Sequence, residues 1–167
     1  QWTIFLGAGL SMILYIYAST THVKVKQLVR TPDGKYEKRD VPEVYPSNQA
    51  TVVVFEGNQF FAEIPFLEEL LPSRQDVKNA VVILRARHQE TVPSTALKWL
   101  KRYTKELHQS GNLLILAGVE PHAMRELDKA GLLDPIGREN IFASGAVLQD
   151  SLNEALDAAE AWLKTKK

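Results

Sequence analysis

Residues 80–117 read AVVILRARHQETVPSTALKWLKRYTKELHQSGNLLILA, and the contrast between the two ends and the middle sets the fold. The ends, AVVIL (80–84) and LLILA (113–117), are apolar at every position. A strand with one wet face alternates, whereas an apolar run of this length fits a strand buried on both faces, as in a parallel sheet covered by helices. The middle, 94–109, is a helix. Leu97, Leu100, Thr104 and Leu107 share its inner face, and Lys98, Lys101, Lys105 and Glu106 lie outside. Ser110-Gly111 stops it. Parallel neighbours need a crossover of this kind, so 80–84 and 113–117 are expected at the centre of one sheet.

Downstream, Pro121 opens another helix, through about Ala130, and Gly131 closes it. Phe142 and Ala143 suggest a fifth, short strand. Leu148, Leu152, Ala155, Leu156, Ala159 and Leu163 make a final amphipathic helix, and Lys164, Lys166 and Lys167 suit its negative end. Upstream, ATVVVFE (50–56) is a β-branched strand ended by Gly57. In FFAEIPFLEELL (60–71), Pro65 fits a first helical turn, and Phe66, Leu67, Leu70 and Leu71 form an apolar stripe. HVKVKQLVR (22–30) begins as an alternating strand. Residues 31–48 contain Pro32, Asp33-Gly34, Pro42 and Pro46 among many charges. They read as a long connection with a hairpin tip at Asp33-Gly34 and little part in the core. The class is α/β, with a mixed, largely parallel sheet of four to five strands flanked by helices.

Lys plus Arg number 20 and Asp plus Glu number 20, so no global field attracts nucleic acid or acidic substrates. The chain has no Cys, which removes disulfides, thiol catalysis and Cys-bound zinc. His22, His88, His108 and His122 show no HxH or HxxxH spacing. GxGxxG, GxxxxGK[ST] and GxSxG are missing. Glu37, Glu68 and Glu69 stand in polar contexts and read as solvated charges. No catalytic, cofactor-binding or metal-binding residue is assigned.

QWTIFLGAGLSMILYIYA (1–18) carries no charge. At about 1.5 Å per residue such a helix is about 27 Å long, near the thickness of a bilayer's hydrocarbon core. Trp2, Tyr15 and Tyr17 lie near its ends, as interfacial aromatics do, and no basic stretch marks a signal peptide. Residues 1–19 are expected to be the end of a transmembrane helix and 20–167 the domain that follows. Lys24, Lys26 and Arg30 after the exit favour a cytoplasmic domain.

HQETVPSTAL (88–97) runs from the end of a central strand into a helix start, where α/β proteins place functional groups. Ser94 and Thr95 are natural N-caps there, and His88 reads most simply as a surface loop histidine.

Several stretches together resemble the STAS domain at the C-terminus of SulP-family anion permeases, which include sulfate and bicarbonate transporters. FEGNQFFAE (55–63) resembles the family's second strand and double-Phe helix start. AVVILRAR (80–87) resembles the strand before its switch loop, and LHQSGNLLILAGVEPHAMRELDKAGLLDPIGRENIF (107–142) its most recognisable stretch. The apolar start is similar to the permeases' last membrane helix. The resemblance implies a STAS-like fold, similar to anti-sigma-factor antagonists, and a cytoplasmic regulatory or assembly domain at the bacterial inner membrane. Implied partners are the transmembrane domain of the same transporter, a second copy in a homodimer, and a cytoplasmic regulatory protein. The rival reading is a stand-alone antagonist-like signalling module.

The antagonists' switch loop reads Asp-Ser-[Ser/Thr]-Gly-Leu. Pro93, Ser94, Thr95, Ala96 and Leu97 stand in those places, and Thr95 falls on the antagonists' phosphorylated position. Pro for Asp and Ala for Gly weaken the phosphoacceptor reading of Thr95 and Ser94. A partner-contact loop of Gln89, Glu90, Thr91, Ser94, Thr95 and Lys98 is the candidate site.

Overall fold

The computed structural model describes residues 7, 9–11, 24–56, 68–86, 92–145 and 149–166. Its strands are β1 (Lys24–Arg30), β2 (Tyr36–Asp40), β3 (Ala50–Glu56), β4 (Val81–Arg85), β5 (Leu113–Val119) and β6 (Ile141–Ala143). Its helices are α1 (Ser94–Gln109), α2 (Pro121–Lys129), α3 (Leu133–Ile136) and α4 (Asp150–Lys164), with a 3-10 turn at Arg138–Asn140. The strands form one sheet in the order β2-β1-β3-β4-β5-β6. From β3 to β6 all neighbours are parallel, while β1 is antiparallel to both β2 and β3.

The two apolar runs lie side by side as expected, with Ile83 opposite Ile115. Side chains of a strand alternate between faces, so each run feeds two cores. Val53, Val82, Leu84, Leu114 and Leu116 pack with residues of α1, α2 and α3. Val52, Val81, Ile83, Leu113 and Ile115 pack on the opposite face with Leu152, Ala155 and Ala159 of α4.

The sheet has six strands, against the four to five expected. The additional strand is β2, in the stretch expected to be a connection. Its sequence, YEKRD, has no apolar alternation because it lies at the sheet edge and is mostly exposed. Asp33-Gly34 is indeed the hairpin tip: Gly34 adopts φ 79°, and its N–H donates to Thr31 O at 2.9 Å. Lys26 pairs with Asp40 across β1 and β2, and Lys38 reaches Glu56 of β3 at 2.5 Å.

The rest of the expected connection also departs from the expectation. Tyr45 is only 2% exposed and belongs to the core under α1. Its N–H donates to Ser73 O at 3.0 Å, and Ser73 N–H donates to Glu43 O at 2.8 Å. Prolines and charges hid a segment anchored by a single aromatic residue.

Both expected helix stops are present. Gly111, at φ 76°, donates its N–H to His108 O at 3.0 Å, and Asn112 N–H reaches Leu107 O at 2.9 Å. This is a Schellman motif, which needs a residue comfortable in the left-handed region. Leu132 N–H to Leu127 O and Gly131 N–H to Asp128 O repeat it after α2. The buried Asn112 side chain then ties two segments together. Its Oδ1 accepts from Ala80 N–H at 2.9 Å, and its Nδ2 donates to Val77 O at 3.1 Å.

Of the expected helix in 60–71, only 68–71 lies within the described residues. Residues 68–70 are helical. Leu71, a bend residue just past the helical turn, is 8% exposed, whereas Leu70 is 38% exposed, so the expected apolar stripe is not wholly inward. Most of 1–19 lies outside the described residues. No described helix is long and apolar enough to cross a membrane.

Candidate functional site

Helix α1 starts where β4 has ended and the chain returns across the sheet. Pro93 is its N-cap, with φ −59° and ψ 152°. Its carbonyl accepts the first helical hydrogen bond, from Leu97 N–H at 3.1 Å. Ser94 and Thr95 therefore occupy the first two helical positions rather than the cap, and no side chain caps the helix. Proline sets the start here because it supplies extended backbone and lacks an N–H that would need a partner.

Ser94, Thr95 and Lys98 are all exposed on this first turn and a half. Thr95 and Lys98 are three residues apart and Ser94 and Lys98 four, so they share one surface. Gln89, Glu90 and Thr91, with His88, lie outside the described residues. Ala96 points inward and is fully buried. Its methyl group packs where the antagonists' loop has glycine, so this turn is fixed by core contact.

Beneath it lies a cavity of about 40 Å³ lined by Phe55, Leu84, Ala96, Trp99, Leu116 and Leu127, among others. It sits toward the C-terminal ends of the parallel strands, where open α/β sheets hold ligands. Trp99 is 3% exposed, and its Nε1 has no hydrogen-bond partner. The ring stacks on Tyr103, with centroids 5.0 Å apart. Trp99 and Tyr103 belong to the inner face of α1 but are absent from the leucine-based reading of it. Counting from Ala96 in steps of three and four would have found both.

Farther along α1 the Tyr103 hydroxyl lies 3.0 Å from that of Tyr45. The Arg74 guanidinium stands 4.6 Å over the Tyr103 ring and pairs with Glu106 at 2.8 Å. Arg102 pairs with Glu68 at 2.5 Å. Burial pushes the Tyr103 phenol up to about 12 and holds that of Tyr45 well above its ordinary value. These groups fix α1 to segment 71–75 and to Tyr45. Glu68 is exposed, as expected of a solvated charge, and finds its partner across the surface.

Among the described residues no group of three or more His, Asp or Glu side chains could hold a metal ion. The geometry around Ser94 and Thr95 is that of a solvent-facing helix start on a packed base. Two reachable hydroxyls stand at the positive end of a helix, which suits contact with a partner or acceptance of a negative group.

The STAS domain family matches residues 41–147. The chain belongs to the STAS domain family. Three solved structures are similar to this STAS domain in fold. A sulfate transporter family protein from Wolinella succinogenes aligns with TM-score 0.58 and 21% identity, over 81% of this chain and 97% of that one. The STAS domain of a SulP transporter from Vibrio cholerae aligns with TM-score 0.52 and 27% identity, over 70% and 87%. The murine solute carrier 26 family member A9 anion transporter, in its inward-facing state, aligns with TM-score 0.62 and 14% identity, over 96% of this chain and 26% of that one. No curated protein matches the chain in sequence. The STAS fold and its likeness to SulP-type domains agree with the resemblance read from 55–63, 80–87 and 107–142.

Proposed function

We propose that this STAS domain is the cytoplasmic regulatory and assembly domain of a SulP-type secondary anion transporter carrying sulfate or bicarbonate. It has no catalytic role of its own. The observation that carries the reading is the family match over 41–147 together with the likeness to the SulP STAS domain, which aligns over 87% of its own length. The uncharged stretch 1–18 supports attachment to a membrane helix, with the domain facing the cytoplasm at the bacterial inner membrane. Its partners are the transmembrane domain of the same transporter, a second subunit in a homodimer, and a cytoplasmic regulatory protein.

The contact surface in this reading is the loop 89–91 with Ser94, Thr95 and Lys98. It acts through shape and charge rather than phosphorylation, since Pro93 and Ala96 replace the Asp and Gly of the antagonist motif. The test is anion uptake by the transporter bearing this domain, at matched membrane expression. Thr95→Ala removes an exposed hydroxyl that caps nothing, so uptake should stay near normal. Thr95→Arg should lower uptake or assembly while the domain stays folded by circular dichroism. Normal uptake by Thr95→Arg would remove the contact site. Phosphate on Thr95 in cells, with Thr95→Ala abolishing regulation, would replace this reading by a phosphoswitch.

A further inference from the structure

A number of charged side chains find partners within the chain. Arg74, Arg102, Arg138, Lys38 and Lys129 each lie near a carboxylate. Other exposed charges have no ion-pair partner among the described residues, and two sets of these line up in stripes along helices. On α1, Lys98, Lys101 and Lys105 are exposed and have no ion-pair partner among the described residues. On α4, Asp150, Glu154 and Asp157 are exposed and equally unpaired. The chain as a whole is neutral, with 20 basic and 20 acidic residues, so these stripes are a separation of charge and not an excess.

The two stripes match in spacing. From Lys98 the steps are three and then four residues, and from Asp157 backwards through Glu154 to Asp150 they are also three and then four. At about 1.5 Å per residue, the charges of each stripe fall at about 4.5 and about 10.5 Å from the first. Run antiparallel, the helices bring all three pairs to the same heights. Run parallel, the middle pair is out of step by one residue, about 100° around the helix. The antiparallel arrangement also opposes the helix dipoles.

Because α1 and α4 cover opposite faces of the sheet, one molecule cannot join its own stripes. We propose that the lysine face of α1 docks on the acidic face of α4 in a second copy of this chain. The helices run antiparallel, with Lys98 opposite Asp157, Lys101 opposite Glu154 and Lys105 opposite Asp150. Each copy offers both halves on opposite sides, so the contact is heterologous and repeats into an open row instead of closing as a two-fold dimer. It is thus distinct from the homodimer proposed above. A second copy accounts for both stripes at once. An anionic lipid surface would engage only the lysines and leave α4 unexplained. Exposed ion pairs are individually weak and screened by salt, so the association is weak and strongly salt-dependent.

The test is zero-length carbodiimide cross-linking of the full chain in nonionic detergent, mixing unlabelled and ¹⁵N-labelled protein so that links between copies are recognised by mass. Mixed-isotope links Lys98–Asp157, Lys101–Glu154 and Lys105–Asp150 are expected at about 50 mM salt and should be lost at about 500 mM. Reversing the α1 stripe (Lys98→Glu, Lys101→Glu, Lys105→Glu) should remove them with the circular dichroism spectrum unchanged. Mixing that protein with one whose α4 stripe is reversed (Asp150→Lys, Glu154→Lys, Asp157→Lys) should restore them. Absence of α1–α4 links in the unaltered chain would overturn the proposal, as would links that persist after reversal of one stripe. Lysine-dependent binding to phosphatidylglycerol vesicles without α1–α4 links would overturn it in favour of a lipid surface.

Discussion

Tyr45 and Tyr103 place two phenol groups in the core, hydroxyl to hydroxyl, and burial keeps both protonated. An unfolded tyrosine ionises near pH 10. Between about 10 and about 12 the unfolded chain releases protons that the fold retains, so their contribution is whole below pH 10 and falls as pH rises. Urea unfolding midpoints should therefore drop above pH 10, and the double substitution Tyr45→Phe/Tyr103→Phe should flatten that fall. Partly buried Tyr36, raised in the same direction, leaves a smaller residual slope. Tyr45→Phe alone should cost about 1 to 3 kcal/mol, because the Tyr103 hydroxyl then loses its partner inside the core. An unchanged alkaline slope in the double variant would assign the fall to other groups. Tyr45 was not legible beforehand: one aromatic among prolines and charges has no periodicity to betray its direction. Asn112 was equally silent. A single Asn after a Ser-Gly stop says nothing of the Ala80 N–H and Val77 carbonyl that it serves 32 and 35 residues away.

At the scale of elements, pattern was informative wherever burial was two-sided or strictly one-sided. The apolar runs that became β4 and β5, the helix between them and the glycine stops after α1 and α2 were all readable. Strand β2 was not, since an edge strand with exposed side chains lacks the alternation that burial imposes. The start of α1 was readable in position but not in detail: Pro93 took the cap that Ser94 or Thr95 would ordinarily fill. Ile83 and Ile115 test the central pair. Both are fully buried and covered by α4, so either changed to Ala should cost about 2 to 5 kcal/mol. Glu68→Ala removes one exposed ion pair with Arg102 and should stay within about 0.5 kcal/mol. Chemical denaturation of the three variants decides this, and equal losses at all three would contradict the assigned faces.

For the whole molecule, attachment through 1–19 remains the proposal with the plainest readout. A chain beginning at Thr20 should stay in solution without detergent, while the full chain should require it. A detergent-free full-length monomer would reject a membrane helix there. The position of β1 adds a mechanical consequence to any such attachment. Its first residue, Lys24, is separated from 1–19 by only four residues, and the strand is clasped between β2 and β3. Ladder hydrogen bonds run perpendicular to the strands. A pull on Lys24 along the strand therefore loads the bonds on both flanks in shear, and many must yield together. Had the leading strand been at the sheet's edge and been peeled sideways, the bonds could open one after another. The way the chain threads its first strand makes this a joint that transmits force into the sheet before it tears.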